Sequence, residues 1–292
     1  MRHFLATVAL GALMIGATPL TSLAETPDNQ LVVATTMSNI LTLDPAAITG
    51  RETVQVLNNI YDTLVQLSPT DRSIQPRLAE KWEVASDRMS IRFHLRKDAK
   101  FASGNPVTAE DVVWSLKRLL TRNLAQSSLL KTRGFSADKA DTLFVAEDVN
   151  TFVLNLPQAD DPSLVLMVLA QNGPGSILDS KTVLENEKDG DLGAGWLTLN
   201  SAGSGPYALT QWASNEYIIL TRNDGYWGEA PAMARVLMRH LPESQSQRLM
   251  LEQGDIDVAY SLLAPDLTAL EASDKVQIES TPGSGFYYLG VS

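Results

Sequence analysis

The stretch from Leu78 to Leu120 constrains the fold more than any other, because strand, turn and capped helix patterns follow one another inside it. Ile91, Phe93 and Leu95 alternate with Arg92, His94 and Arg96, the period of two expected of a strand with one buried face. Gly104-Asn105-Pro106 breaks that alternation. Thr108 with Asp111 three residues on makes a capping-box pattern in which Asp replaces the commoner Glu. Val112, Val113, Leu116 and Leu120 then recur at helical spacing.

The first residues read as a secretory leader. Arg2 supplies the positive start, Phe4 to Ala17 an apolar stretch, and Ser22-Leu23-Ala24 a small-x-small cleavage site. The apolar stretch is shorter than the about 20 residues a spanning helix needs. Residues 1–24 are therefore expected to be removed. The chain has no cysteine, which excludes disulfides, thiolate nucleophiles, cysteine zinc sites and lipidation of a mature N-terminal thiol. The formal net charge of −11 argues against nucleic acid and anionic membrane surfaces as partners.

Beyond the leader, Leu31 to Thr36 reads as a first strand, and Met37 to Pro45 as the loop leaving it. Thr53 can start a helix that gathers Val56, Leu57, Ile60, Tyr61 and Leu64 on one face. A second alternation follows at Phe152, Leu154 and Leu156, then an apolar run from Leu164 to Ala170 that Gly173-Pro174-Gly175 ends. Lys181 to Asn200 is polar and lacks periodicity, so it reads as a surface connection. Ser244 and Gln247 make a capping box ahead of a helix that Gly254 closes, and Ile256-Asp257-Val258-Ala259 resumes a strand. Phe286 to Ser292 reads as a β-type run that stops inside an element.

Several of these segments together resemble a known family. The order Trp82-Glu83, Asp87, Phe93-His94-Leu95-Arg96, Phe101, Gly104 and Pro106 to Val112 is similar to the signature of the family 5 extracellular solute-binding proteins, the dipeptide, oligopeptide and nickel receptors of ABC importers. The family often has His-Asp-Gly where this chain has Ala102-Ser103-Gly104. Asn59 to Val65, Ser204-Gly205-Pro206-Tyr207, and Arg222-Asn223 with Tyr226-Trp227-Gly228 resemble further landmarks of the same family. The resemblance covers nearly all of residues 31 to 292.

It implies an α/β fold: a periplasmic-binding-protein-like (class II) lobe with a mixed sheet, most of a second lobe lying outside the residues given. It further implies a first lobe segment over 25–65, a subdomain insertion over 66–190, and a second lobe segment over 191–292 that ends at the hinge. The implied activity is capture of a di- or oligopeptide in the periplasm by a monomeric, unlipidated receptor, and its delivery to the permease subunits of an importer. A nickel chelate, haem, an opine or an oligosaccharide are alternative solutes, and a secreted hydrolase on the same fold is the alternative of a different class.

Direct reading for chemistry gives no resident cofactor and no metal. His94 and His240, the histidines beyond the leader, are not within helical or hairpin reach of one another. His94 reads as the solvent side of a strand and His240 as a surface residue. Asp189-Gly190-Asp191 lacks the remaining ligands of a calcium loop. Gly203-Ser204-Gly205 and Gly283-Ser284-Gly285 do not have the spacing of a nucleophile elbow. Most of Trp82, Trp114, Trp196, Trp212 and Trp227 read as core. Open α/β sheets bind ligands beyond the carboxyl ends of their strands. The candidate ligand contacts are therefore Thr36, Met37, Ser38 and Asn39 after the first strand, with Ala259, Tyr260 and Ser261 where a later strand leaves the sheet. Asn172 and Tyr207 are secondary candidates.

Overall fold

The computed structural model describes residues 28–158, 161–260 and 262–280. Strand β1 (Gln30–Thr35) and helix α1 (Arg51–Ile60) come first, then β2 (Val65–Leu67), β3 (Ile74–Pro76), β4 (Ala79–Val84) and β5 (Ser90–Leu95). Helices α2 (Ala109–Arg122), α3 (Ser128–Lys131) and α4 (Ala140–Leu143) precede β6 (Phe144–Asp148) and β7 (Thr151–Asn155). After α5 (Pro162–Leu169), α6 (Ser180–Glu185) and α7 (Ala194–Leu197) come β8 (Tyr207–Ala213), β9 (Tyr217–Arg222) and β10 (Arg235–His240). Helix α8 (Ser244–Gln253), β11 (Val258–Ala259) and α9 (Ala264–Glu271) follow.

Two larger sheets result. The first has the order β11-β1-β10-β9-β8, with β1 parallel to both of its neighbours and β8, β9 and β10 antiparallel to one another. This mixed sheet takes one strand from before residue 36 and four from after residue 206, so the chain between leaves it and returns. The excursion builds an antiparallel sheet of order β4-β5-β7-β6, with the β2-β3 hairpin beside it. Its core follows the alternation in the sequence: Ile91, Phe93 and Leu95 are buried, and the Phe93 and Phe152 rings stack at 5.8 Å. Helix α2 lays Val112, Val113, Leu116 and Leu120 into the same core.

The α2 capping box forms. Thr108 accepts the Asp111 N–H, and the Asp111 carboxylate accepts the Thr108 N–H at 2.9 Å, a motif worth about 1 kcal/mol. Other expectations need correction. Helix α1 starts at Arg51 rather than Thr53, and Tyr61 and Leu64 lie past its end. Tyr61 continues in extended chain and packs in the same cluster as Val56, Leu57 and Ile60, whereas Leu64, at a bend, is buried in the other core with Val65 and Leu78. The supposed surface connection over Lys181–Asn200 contains most of α6 and all of α7, whose Val183 and Leu197 are fully buried. Helices of six and four residues are too short to show a period in sequence.

Ser244 lies inside the first turn of α8 behind Glu243 at the N-cap, so no Ser244–Gln247 capping box exists. Its hydroxyl instead binds the Asp266 carboxylate and accepts the Leu263 N–H at 2.8 Å, joining α8 to α9. Strand β11 is two residues, not four. The leader, Ser261 and the Phe286–Ser292 run lie outside the described residues.

Candidate functional site

Because β1, β10 and β11 are parallel, their carboxyl ends emerge on one edge of the mixed sheet. Backbone hydrogen bonds continue past the strands: Leu241 N–H donates to Thr35 O at 2.9 Å, and Tyr260 N–H donates to Ala34 O at 3.0 Å. The two sequence-predicted clusters therefore meet at this edge. Thr36 is half-buried, Ser38 and Asn39 are exposed, Ala259 is half-buried and Tyr260 is 44% exposed. Met37 differs from the rest. Its side chain is 1% exposed within the core, its N–H donates to His240 Nδ1 at 2.9 Å, and its carbonyl accepts from Ile40 N–H. It is a support for the loop rather than a free contact.

His240, read in sequence as a surface residue, is the unexpected member of this edge. Its acceptor nitrogen on Met37 N–H fixes the start of the loop that carries Ser38 and Asn39.

Next to that loop lies a groove of about 670 Å³. Helix α1 forms one wall with Arg51, Val54, Gln55 and Asn58, which share a face because they recur three and four residues apart. Gln126 and the segment Ala170-Gln171-Asn172 form the other, with Ile48 and Gly50 between. A Cβ placed on Gly50 would lie 3.8 Å from the Asn39 Cβ, so the groove and the loop leaving β1 adjoin.

Protein contacts hold some of the lining amides. Asn172 Nδ2 donates to Asn58 Oδ1 at 2.9 Å, Gln126 Nε2 to Ile48 O at 2.9 Å, and Gln171 Nε2 to Met167 O at 3.0 Å. Gln55 Oε1, by contrast, is buried with no hydrogen-bond donor. Asn172, a secondary candidate, thus lines the groove. Tyr207 does not: its hydroxyl donates to Met233 O at 3.0 Å, and burial raises its pKa.

The residues that carry the family resemblance do other work. Asp62 is fully buried and receives Arg77 Nε at 2.6 Å, Ser204 Oγ at 2.9 Å and Trp227 Nε1 at 3.0 Å. Three landmarks distant in sequence meet on this one carboxylate. Gly203 and Gly205 complete the junction, since a Cβ on either would fall 1.8 Å from Ile60 O or 2.6 Å from Asn59 O. They are glycines because backbone meets backbone there.

A second buried pair fixes the loop after β1. Arg118 grips Asp44 with two hydrogen bonds of 2.8 and 2.7 Å, both side chains 2% exposed, and its Nε donates to Leu192 O. Bidentate geometry of this kind is what makes a desolvated ion pair tolerable. Asp179 receives Ser103 Oγ at 2.6 Å, Asn105 Nδ2 at 2.9 Å and Thr182 N–H at 3.0 Å. Burial pushes its pKa up, but these donors together outweigh it and hold the carboxyl below its ordinary range. Among the described residues, no group of three or more His, Asp or Glu is placed to hold a metal, and no helix is long and apolar enough to cross a membrane.

The fold is shared with known proteins. It superposes on the Escherichia coli murein tripeptide binding protein MppA with a TM-score of 0.72 at 24% identity, covering 86% of this chain and 49% of that one. The Helicobacter pylori periplasmic binding protein DppA, solved with the peptide STSA, gives 0.70 at 26% identity over 84% of this chain and 49% of its own. The probable D,D-dipeptide-binding periplasmic protein DdpA of Escherichia coli K12 is 33% identical over 271 residues, which are 91% of this chain and 50% of that protein. The chain thus spans about half the length of the relatives it matches, and its main fold is that of a periplasmic-binding-protein lobe. Residues 73–292 match the family described as "Bacterial extracellular solute-binding proteins, family 5 Middle", and with so much of its length matched the chain belongs to the family 5 bacterial extracellular solute-binding proteins.

Proposed function

We propose that the chain is part of the receptor of an ABC importer, exported to the periplasm behind a cleaved leader, which captures di- or oligopeptides as a monomer and passes them to permease subunits. The observation that carries this reading is the amide-lined groove of about 670 Å³ beside the carboxyl ends of the parallel strands. Side-chain amides and strand-end backbone are the groups that recognise peptide bonds without demanding one side chain. The names of DdpA and of the peptide-bound DppA support the same solute class.

The ligand contacts proposed at this edge are Thr36, Ser38, Asn39, Ala259 and Tyr260, with Met37 supporting the loop from the core; Ser261, also proposed, lies outside the described residues. The chain divides, in this reading, into lobe segments over 25–65 and 191–292 around an insertion over 66–190, in keeping with a mixed sheet built from both flanks. A second lobe closes over the peptide by hinge motion.

The test is calorimetry and thermal denaturation of the full-length protein with di- to pentapeptides, histidine-chelated nickel, haem, an opine and a short oligosaccharide. A peptide present at about 100 times its Kd is expected to add about 2.7 kcal/mol of stability. Binding of one of the other solutes without peptide binding reassigns the ligand. Release of amino acids from a bound peptide overturns the receptor reading in favour of a hydrolase.

A further inference from the structure

The ladder between β1 and β10 ends with the pair Thr35–His240 and the Leu241 N–H bond to Thr35 O. Its next step would join Met37 N–H to Leu241 O, but that carbonyl accepts Gln247 Nε2 at 2.6 Å. The imidazole of His240 takes the vacant place, with Nδ1 accepting Met37 N–H at 2.9 Å. Met37 O accepts Ile40 N–H, also at 2.9 Å, which closes a turn whose central residues are the exposed Ser38 and Asn39. The turn is thus held at its first residue by a buried side chain and one ring nitrogen.

A ring nitrogen accepts a hydrogen bond only while it carries no proton, so the neutral ring here has its hydrogen on Nε2. Protonation would put a second N–H at Nδ1, facing the N–H of Met37, and the backbone donor cannot reverse its role. Imidazole is the side chain whose charge ordinarily changes between pH 5 and 8. The charged and titratable groups around this corner come from every side. Glu216 lies opposite on the approach to β9, its carbonyl accepting His240 N–H at 2.8 Å; Arg239 precedes the ring and Glu243 caps α8. Tyr260 follows β11, and on α1 Glu52 approaches Gly50, beside Asn39, with Arg51 preceding it. Residues 30–43 of β1 and its loop carry no titratable side chain, and Asp44 is paired with Arg118. Among the described residues the ring's side-chain bond is the one to Met37.

We infer that His240 is a positioning residue for the peptide site, which holds the Ser38–Asn39 turn in its binding shape while neutral and releases it when protonated, so that capture weakens in acid. The inference rests on the peptide reading above and adds a regulation to it. By reciprocity, a peptide that needs the ordered turn favours the neutral ring, so binding in mild acid expels a proton.

The test titrates trialanine into full-length wild type, His240→Asn and His240→Ala at about pH 5.5 and about pH 7.5, near the two ends of the ordinary imidazole range. Wild type is expected to bind about 5- to 30-fold more weakly at the lower pH, the range of a backbone donor left without its acceptor. In His240→Asn the amide oxygen stands about where Nδ1 stood and does not titrate. That variant is expected to match wild type at the higher pH and to keep its affinity at the lower. His240→Ala is expected to be weak at both. The peptide's own groups titrate alike in all three proteins, so the difference between wild type and His240→Asn isolates the ring. Without ligand, the Met37 amide resonance is expected to move with the imidazole on acidification in wild type and to stay in place in His240→Asn. An equal pH dependence in wild type and His240→Asn overturns the inference and leaves peptide capture standing. So does full affinity of His240→Ala at the higher pH, or a Met37 resonance that does not follow the ring. Failure of wild type to bind trialanine or any peptide of the wider panel at either pH overturns the peptide reading itself, and this inference with it.

Discussion

The two ends of α1 differ in nearly every physical respect. At its carboxyl end, Asn59 and Ile60 carbonyls press against Gly203 and Gly205, and Asp62 just beyond gathers a guanidinium, a hydroxyl and an indole. At its amino end, Arg51 lines the open groove without a partner among the described residues, and Gln55 Oε1 is buried without a donor. One end uses its hydrogen-bonding capacity on the fold, and the other leaves part of it unused. The same helix thus joins a densely bonded junction to an open groove.

The largest way to break that contrast is Asp62→Ala. It leaves the Arg77, Ser204 and Trp227 donors without their common acceptor, and breaking a buried pair from one side costs about 3–5 kcal/mol. In a chain of this size that is a fall in Tm on the order of 10 °C, read by circular dichroism. A fall of only a degree or two would mean that the carboxylate is not what joins the three segments.

This asymmetry also explains what was legible in the sequence. The Leu78–Leu120 unit was readable because its period, its turn and its Thr108–Asp111 cap agree with the buried face they produce. The family landmarks were readable because close backbone approach and a shared carboxylate restrict residue type, and for that reason they mark scaffold. The strand-end loops were reachable from topology alone, which is why Ser38, Asn39 and Tyr260 fall on one edge. The groove was not reachable. Arg51, Gln55 and Asn58 do form a polar stripe at i, i+4 and i+7, but polar stripes are ordinary on solvent faces. Only the far wall from Gln126 and Asn172, distant in sequence, turns that stripe into a cavity. His240 was missed for a similar reason, since its partner Met37 is 203 residues distant.

A smaller effect tests the fully bonded side of the molecule through pH. The hydroxyl of Ser103 is first among the donors that keep the Asp179 carboxyl low against the opposing push of burial. A carboxyl depressed in the folded state contributes stability above its unfolded pKa, about 3.9, and loses that contribution as pH falls through the lower folded value. Ser103→Ala is expected to cost about 1 kcal/mol at pH 7. The gap from wild type should narrow below about pH 4 as Asp179 becomes protonated in both proteins. Urea unfolding at pH 7 and pH 3 measures it. A gap that stays constant across that window would show that Ser103 acts by packing and not through the carboxylate.

The smallest expected effect on the fold falls at the open end of α1. Gln55→Leu removes an amide oxygen that is buried without a donor, and replaces it with a side chain of similar size and good helix propensity. Since an unsatisfied buried acceptor is itself destabilising, the variant is expected to unfold at the wild-type urea concentration or slightly above it, a change of about 0 to +1 kcal/mol. This opposition of signs, no loss or a small gain at Gln55 against a large loss at Asp62, is the sharpest form of the contrast between the two helix ends. Loss of about 1 kcal/mol or more on Gln55→Leu would mean that the amide already serves the fold, and that both ends of α1 use their polar groups to hold the lobe together.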